Sequence, residues 1–319
     1  MDKNRRIVFS ILILLVLSCL LAIIDIGINM QKSEKTTAMF KMTTPEFGPG
    51  VGVIRIYGPI EISGGTENLF GIMSGADAIV RQLDDMAKDD KIKAILVRIN
   101  SPGGTIAATQ EIFEKLIDIK KKNIILVASL GDVAASGGYY IASACNYILA
   151  NHGTITGSIG VIASAPNLKG LFEKLGIKMN VIKSGKYKDL LAANRDMTPE
   201  ERQLIQDMID SSYNQFLKDV SLGRNMAISD IIPYADGRVV DGDTAVKYKL
   251  IDGIGNYEKA VDKARELAKL PADCPVYDNE GNPMKQLLMS FEGMFKSGTG
   301  IEKRLTQSKF TMIEYSIEP

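Results

Sequence analysis

Short apolar runs that stop at glycine-rich or small-residue turns, each followed by a stretch with helical spacing, most narrowly limit what this chain can fold into. Val51–Tyr57, Lys91–Ile99, Ile124–Ala128 and Asn146–Ala150 are strand-length runs rich in Ile, Val and Leu. Between them Ala76–Ala87 carries Ile79, Leu83 and Met86, and Ile106–Ile119 carries Ile112, Leu116 and Ile119, at the spacing of one helix face. Strands apolar on both faces are buried on both, and parallel neighbours need a crossover that is usually a helix. The chain therefore reads as α/β with largely parallel pairing. Tyr139–Ala144 reads as a helix, and Gly160–Ala163 and Met179–Lys183 as further short strands. Thr198, Pro199 and Glu201 form an N-cap, a proline at the first helical position and a capping-box acid, ahead of a stripe from Leu204 to Val220. Tyr257–Leu270 is the last clear helix.

At 319 residues the chain can hold one large domain or two modest ones. Ile7–Ile24 is uncharged and apolar, and at about 1.5 Å per residue it nearly crosses a ~30 Å hydrocarbon core. Lys3, Arg5 and Arg6 precede it, which keeps the N-terminus in the cytoplasm and sends the rest outward. No clear small-x-small cleavage site follows, so a retained anchor is expected rather than a removed signal peptide, and Cys19 is a membrane-buried thiol. The expected organisation is a cytoplasmic stub and transmembrane anchor over 1–30, a polar linker over 31–50, a folded catalytic or binding body over 51–270, and a loosely ordered tail over 271–319. Within that tail Met284–Phe295 has amphipathic spacing, and earlier, Gly64–Gly75 reads as a loop.

Lys+Arg and Asp+Glu both number 38, so no overall affinity for nucleic acid is implied. Cys19, Cys145 and Cys274 are too widely spaced for a disulfide framework or a C-x-x-C metal knuckle. His152 is the single histidine, and any Ser-His-Asp hydrolase built from this chain would have to use it.

Two small-residue turns can carry chemistry. In Ala134-Ala135-Ser136-Gly137-Gly138 a serine enters a helix through a sharp turn, which exposes its hydroxyl and aims the following amide at a developing oxyanion. Ser101-Pro102-Gly103-Gly104 follows a strand and offers glycine amides as a second donor; it lacks the Gly-Lys-Ser/Thr ending of a phosphate loop. His152 lies in a polar loop, which leaves lysine as the general base, and a lysine accepts a proton near neutral pH only when burial or a neighbouring cation lowers its pKa. Lys183, Lys186 and Lys188 lie together in one charged turn, and spacing does not choose among them.

The motifs Asn100–Gly104, Ala134–Ala142, Thr156–Val161, Lys183–Asp189 and Asp236–Gly242, in order from about Val51 to Leu267, resemble the signal peptide peptidase A family. These are membrane-anchored bacterial serine proteases with a Ser-Lys dyad, and the likeness is to the short form with one N-terminal membrane helix. The resemblance implies a Clp protease/crotonase-like spiral of strand-strand-helix turns, with Ser136 as nucleophile. It selects Lys188, three positions after Ser184-Gly185 and directly before Asp189, as the base. It implies Gly137 and, slightly ahead of Gly103, Gly104 as oxyanion donors, and Ser158 as the hydroxyl that orients the lysine. It further implies no cofactor and no metal, peptide substrates such as signal-peptide remnants, a homo-oligomeric ring, and a catalytic domain outside the bacterial cell membrane. One departure stands out: relatives commonly have glycine where this chain has Lys249, ahead of Leu250-Ile251-Asp252, which puts a turn conformation in doubt. Two other functions share these features. A crotonase-like acyl-thioester enzyme would use the same glycine amides with an acidic base, and a peptide-binding scaffold would use them without catalysis.

Overall fold

The structure is a computed structural model that describes residues 48–62, 75–278 and, as backbone, 314–315. The expected anchor within 1–30, nearly all of the linker, most of the Gly64–Gly75 loop and the Met284–Phe295 segment lie outside the described residues. Among the described residues no helix is long and apolar enough to cross a membrane.

The centre is a parallel sheet in which β1 (Gly50–Tyr57) lies beside β2 (Ile92–Ser101), and β2 beside β4 (Ile125–Ala135). Burial on both faces explains why these strands read as unbroken apolar runs. Ile54 and Ile56 of β1 face one core, shared with Leu83 of helix α1 (Ala76–Lys88) and with Ile112 and Leu116 of α2 (Ile106–Lys121). Val51 and Val53, pointing the other way, join Ala94 and Leu96 of β2 against Ala260, Val261 and Ala264 of the last helix, Tyr257–Leu267.

Strand β4 changes partners along its length. Val127–Ser129 pair with β5 (Tyr147–Ala150), and Val133–Ala135 with β6 (Ile155–Gly157), both parallel. Its register with β2 shifts between Ile99 and Ser101. There the Asn100 side-chain oxygen accepts from the backbone N–H groups of Asp132 and Val133, each at 3.0 Å. An irregular buried strand would otherwise leave both donors unsatisfied. Beyond β6 the sheet turns antiparallel with β7 (Val239–Val240), β8 (Gly253–Ile254) pairs β5, and β9 (Val276–Asp278) pairs β1. β9 and β10 (Glu314–Tyr315) fall in the stretch read from sequence as tail, and β10 lies antiparallel on the two-residue strand β3 (Gly104–Thr105).

Helix α3 (Gly137–Ser143) is buried along its whole length. Tyr140 stacks on Phe216 at 4.5 Å between centroids and meets Phe113 edge-on at 5.1 Å, while the Tyr139 hydroxyl donates to the Leu250 carbonyl at 2.9 Å. Phe216 belongs to α5 (Pro199–Arg224), the next helix after α4 (Lys169–Leu175). Both capping-box hydrogen bonds expected at Thr198 and Glu201 are present.

Two strands read from sequence do not form. Gly160–Ala163 has only a single bridge residue, Ile162, and no strand, because pairing with β4 and with β7 ends at Gly157. Met179–Lys183 is apolar enough for a strand but no described strand offers it an edge, and Val181 and Ile182 are exposed.

Lys249 adopts φ 58°, the left-handed conformation that glycine holds without steric cost, and its carbonyl accepts from Arg224 at 3.1 Å. The glycine turn is thus kept with a lysine in it. Lys249→Gly should stabilise the fold by about 0.5–1 kcal/mol, since the steric relief exceeds the extra backbone entropy glycine loses on folding. Chemical denaturation with an unchanged m-value would measure it; equal midpoints would contradict the strain argument.

Candidate active site

Ser136 sits between the end of β4 and the start of α3 at φ 52°, a conformation rare for a residue with a side chain. The surroundings over-determine it: its N–H donates to Gly157 O at 2.9 Å, and its carbonyl accepts from Tyr140 N at 2.9 Å. The residue is 1% exposed, and its hydroxyl has no hydrogen-bond partner among the described residues. The turn therefore does not expose the hydroxyl, as its sequence suggested, because α3 and the glycine turn pack over it; the strained backbone and the unused hydroxyl still set it apart from a packing serine, which is hydrogen-bonded when buried.

The glycines provide clearance for close approach. A Cβ on Gly137 would stand 2.7 Å from Thr109 Oγ1, 3.2 Å from Gly104 N and 3.3 Å from Gly103 Cα. The two turns singled out in the sequence are therefore in contact. As the first residue of α3, Gly137 has no carbonyl of its own helix to bond. Ile60 and β3 fix the direction of the second amide: Ile60 N donates to Gly103 O at 2.9 Å and Thr105 N to Ile60 O at 2.8 Å. Alternation along an extended chain turns Gly104 N–H to the opposite edge, where Tyr315 lies antiparallel to it. Gly103 itself takes φ 119°, and its N–H is bound by Ser101 Oγ at 3.1 Å. Ser158, at φ 51° and 8% exposed, follows Gly157 of β6, whose carbonyl holds the Ser136 amide. A cleft of about 470 Å³ opens beside Ser158, lined among others by Val161, Ile162 and Tyr213, and does not include Ser136.

Thr109, on α2, escaped the sequence reading. Its hydroxyl is fully buried, has no partner among the described residues, and borders the same glycine contact. A threonine inside an apolar helix face carries no signal until tertiary packing sets it against Gly137.

The lysines separate by their partners. Lys183 is ion-paired with Asp189, and Lys186 with Glu200 at 2.5 Å, a contact that raises the Lys186 pKa. The Lys188 side chain has no hydrogen bond or ion pair among the described residues, and it is exposed. It is not within hydrogen-bond distance of Ser136 Oγ in the single chain. Lys120 has a pKa lowered by burial, but it donates to Ala144 O at 3.3 Å, beyond the far end of α3, about 12 Å from the serine at 1.5 Å per residue. Geometry therefore excludes it as the base. His152 is exposed and faces Asp243 at 2.9 Å, so no Ser-His-Asp arrangement reaches Ser136. Burial drives the Cys145 thiol up to about 12, which leaves it inert. Among the described residues no group of His, Cys, Asp and Glu could hold a metal ion.

Residues 118–271 match the Peptidase family S49, and residues 73–151 match Clp protease. A protein of Synechocystis named as a putative protease is 44% identical over 224 residues, 70% of this chain and 78% of that protein. The chain belongs to peptidase family S49. Other relatives include a putative signal peptide peptidase of Enterococcus faecium, 41% identical over 59% of this chain and 55% of that protein, and a chloroplastic serine protease of Arabidopsis thaliana, 33% identical over 80% and 38% respectively. The chain thus spans only part of the length of several relatives it matches. Ser136 lies where the S49 and Clp matches overlap, and the mixed α/β fold described above is of the Clp protease kind.

In this S49 peptidase Gly137→Ala should lower activity about 100-fold, because the added methyl must displace Thr109 or the Gly104 amide, and a shift of about 1 Å in a group that faces the substrate costs that much. His152→Gln should leave kcat/KM unchanged. Assays of both variants on one peptide check the assignment, and loss in the histidine variant would reverse it.

Proposed function

We propose that the chain is a membrane-anchored serine endopeptidase with a Ser-Lys dyad that cleaves hydrophobic peptides, signal-peptide remnants among them, outside the cell membrane. One observation carries the reading: a buried serine at φ 52° whose hydroxyl is unpaired and whose following glycine touches a second glycine turn.

On this reading the neutral amine of Lys188 takes the Ser136 proton, and the alkoxide attacks a peptide carbonyl. The amides of Gly137 and Gly104 hold the oxyanion, and water hydrolyses the acyl-enzyme. Ser158 orients the amine. Substrate adds as an extended strand on the β3 edge, the edge that Glu314–Tyr315 occupy, which brings its carbonyl toward Gly104 N–H.

The amine comes from a neighbouring copy. Ser136 is buried without a partner while Lys188 is exposed, and the arm leading to it shows solvent an apolar series: Leu171, Leu175, Ile177, Met179, Val181 and a fully exposed Ile182. A monomer rarely displays such a series, whereas an assembly covers it. The head-to-tail contact this requires closes into a ring. The Ile7–Ile24 run and the basic residues before it support the anchor and its orientation.

Ser136→Ala and Lys188→Met should each reduce hydrolysis at least about 1,000-fold, while Lys186→Met stays near wild type. When the two inactive variants are co-assembled one to one, about a quarter of wild-type activity should return, the share of random interfaces joining an intact serine to an intact lysine. A mixture as dead as its components would refute the shared site, and an active Ser136→Ala enzyme would refute the nucleophile.

A further inference from the structure

Lys188 lies in the turn 183–190, which has no regular secondary structure, yet a general base must be held to within a fraction of an ångström. The restraint comes from one guanidinium. Arg195 Nε donates to Asp189 Oδ2 at 3.0 Å and Nη2 to the Asp189 carbonyl at 3.1 Å. The same group grips Glu201, Nη1 to Oε2 at 2.8 Å and Nη2 to Oε1 at 2.6 Å, and Nη1 also reaches the Asp196 carbonyl at 3.1 Å. Glu201 is buried, and its Oε2 accepts from Thr198 N at 2.9 Å in the capping box that starts α5. On the other side of Lys188, Lys183 Nζ donates to the Lys186 carbonyl at 3.0 Å and to Asp189 Oδ1.

We infer that Arg195 is a positioning residue for Lys188: it ties the peptide beside the amine to helix α5, and it occupies the one carboxylate adjacent in sequence, so that the amine is presented without an acidic partner. The inference rests on the reading of Lys188 as the base. The other ionisable groups around the turn are already committed, Lys186 to Glu200 and Lys169 of α4 to Asp196, while Lys183 shares Asp189. Tyr187 completes the set, with Lys186 over its ring at 5.1 Å. Asp189, left with Lys183 alone, is thus the carboxylate whose Oδ2 and carbonyl the release of Arg195 would open toward Lys188. Arg195, and after it Lys183, hold the Asp189 carboxyl well below the usual carboxylate range, and Arg195 and the Thr198 amide hold Glu201 down at about 2. Both acids therefore stay ionised, and the clamp stays closed, at every pH where an amine could act as a base. A bidentate fork engaging two carboxylates is geometry that lysine does not reproduce.

The test measures kcat, KM and the pH profile of kcat/KM for the purified full-length assembly on one hydrophobic peptide, with thermal melting of each variant. Arg195→Ala should lower kcat about 10–100-fold with KM little changed, and should move the acid limb to higher pH by about one unit, because a freed carboxylate favours the charged amine. Adding Asp189→Asn to Arg195→Ala should return the acid limb toward its original position without restoring kcat. Glu201→Gln should shift both quantities in the same direction by less, and serves if Arg195→Ala does not fold. A lowered melting temperature with an unchanged pH profile and kcat, beside a dead Lys188→Met, would overturn the positioning role and leave the dyad standing. An active Lys188→Met would overturn both.

Discussion

The side chain of Asn100 holds the strand on which the site is built. Its single carboxamide oxygen satisfies two consecutive amides of β4, and Thr154 Oγ1 donates to Gly131 O at 2.7 Å from the other side. Between these contacts β4 breaks register with β2 and exchanges one neighbour, β5, for another, β6. A regular strand would carry Ser136 past the glycine turn, and an unsupported bulge would bury two orphan donors. Gly131 fits because a Cβ there would stand 2.9 Å from the Asn100 oxygen.

From that bulge onward the strain at Ser136 is sustained by packing. α3 is short and has few hydrogen bonds of its own, so its position comes from Tyr139 and Tyr140, both fully buried and locked by Leu250, Phe113 and Phe216. Large rings fix a small helix, and the helix fixes the serine conformation. The glycines then let Gly137 and Gly104 lie at a distance no side chain would allow. On the proposed reading rigid packing and the absence of side chains are both needed, the first to hold the amides and the second to let a carbonyl reach them.

The arm from Ile162 to Lys188 follows a different logic. It contributes almost no buried surface to the single chain, and its order comes from charge: Arg195 between Asp189 and Glu201, with Lys183 and Lys186 each on a carboxylate. Exposed ion pairs contribute little stability individually. A connected set anchored on a buried acid can still fix a loop, which is the property a presented amine requires. On the proposed reading the arm sacrifices burial in its own chain for burial against a neighbour.

Most of the fold was legible in the sequence, because strands buried on both faces must be apolar at every position and helices between them must carry one stripe. β1, β2, β4, α1, α2 and the capped start of α5 follow from that rule and from Thr198, Pro199 and Glu201. The rule failed at Met179–Lys183, where an apolar run pairs with no strand among the described residues, since period and composition do not say which surface covers a segment. The serine turn and the glycine turn could be read as separate turns, because glycine and small residues mark tight backbone wherever they occur. Their contact with each other and with Thr109, the unpaired Ser136 hydroxyl, the lysine left without a carboxylate and the clamp at Arg195 were decided only by tertiary structure. Each of these depends on distances between residues far apart in the chain, and such distances are set by packing against the whole core rather than by any local preference.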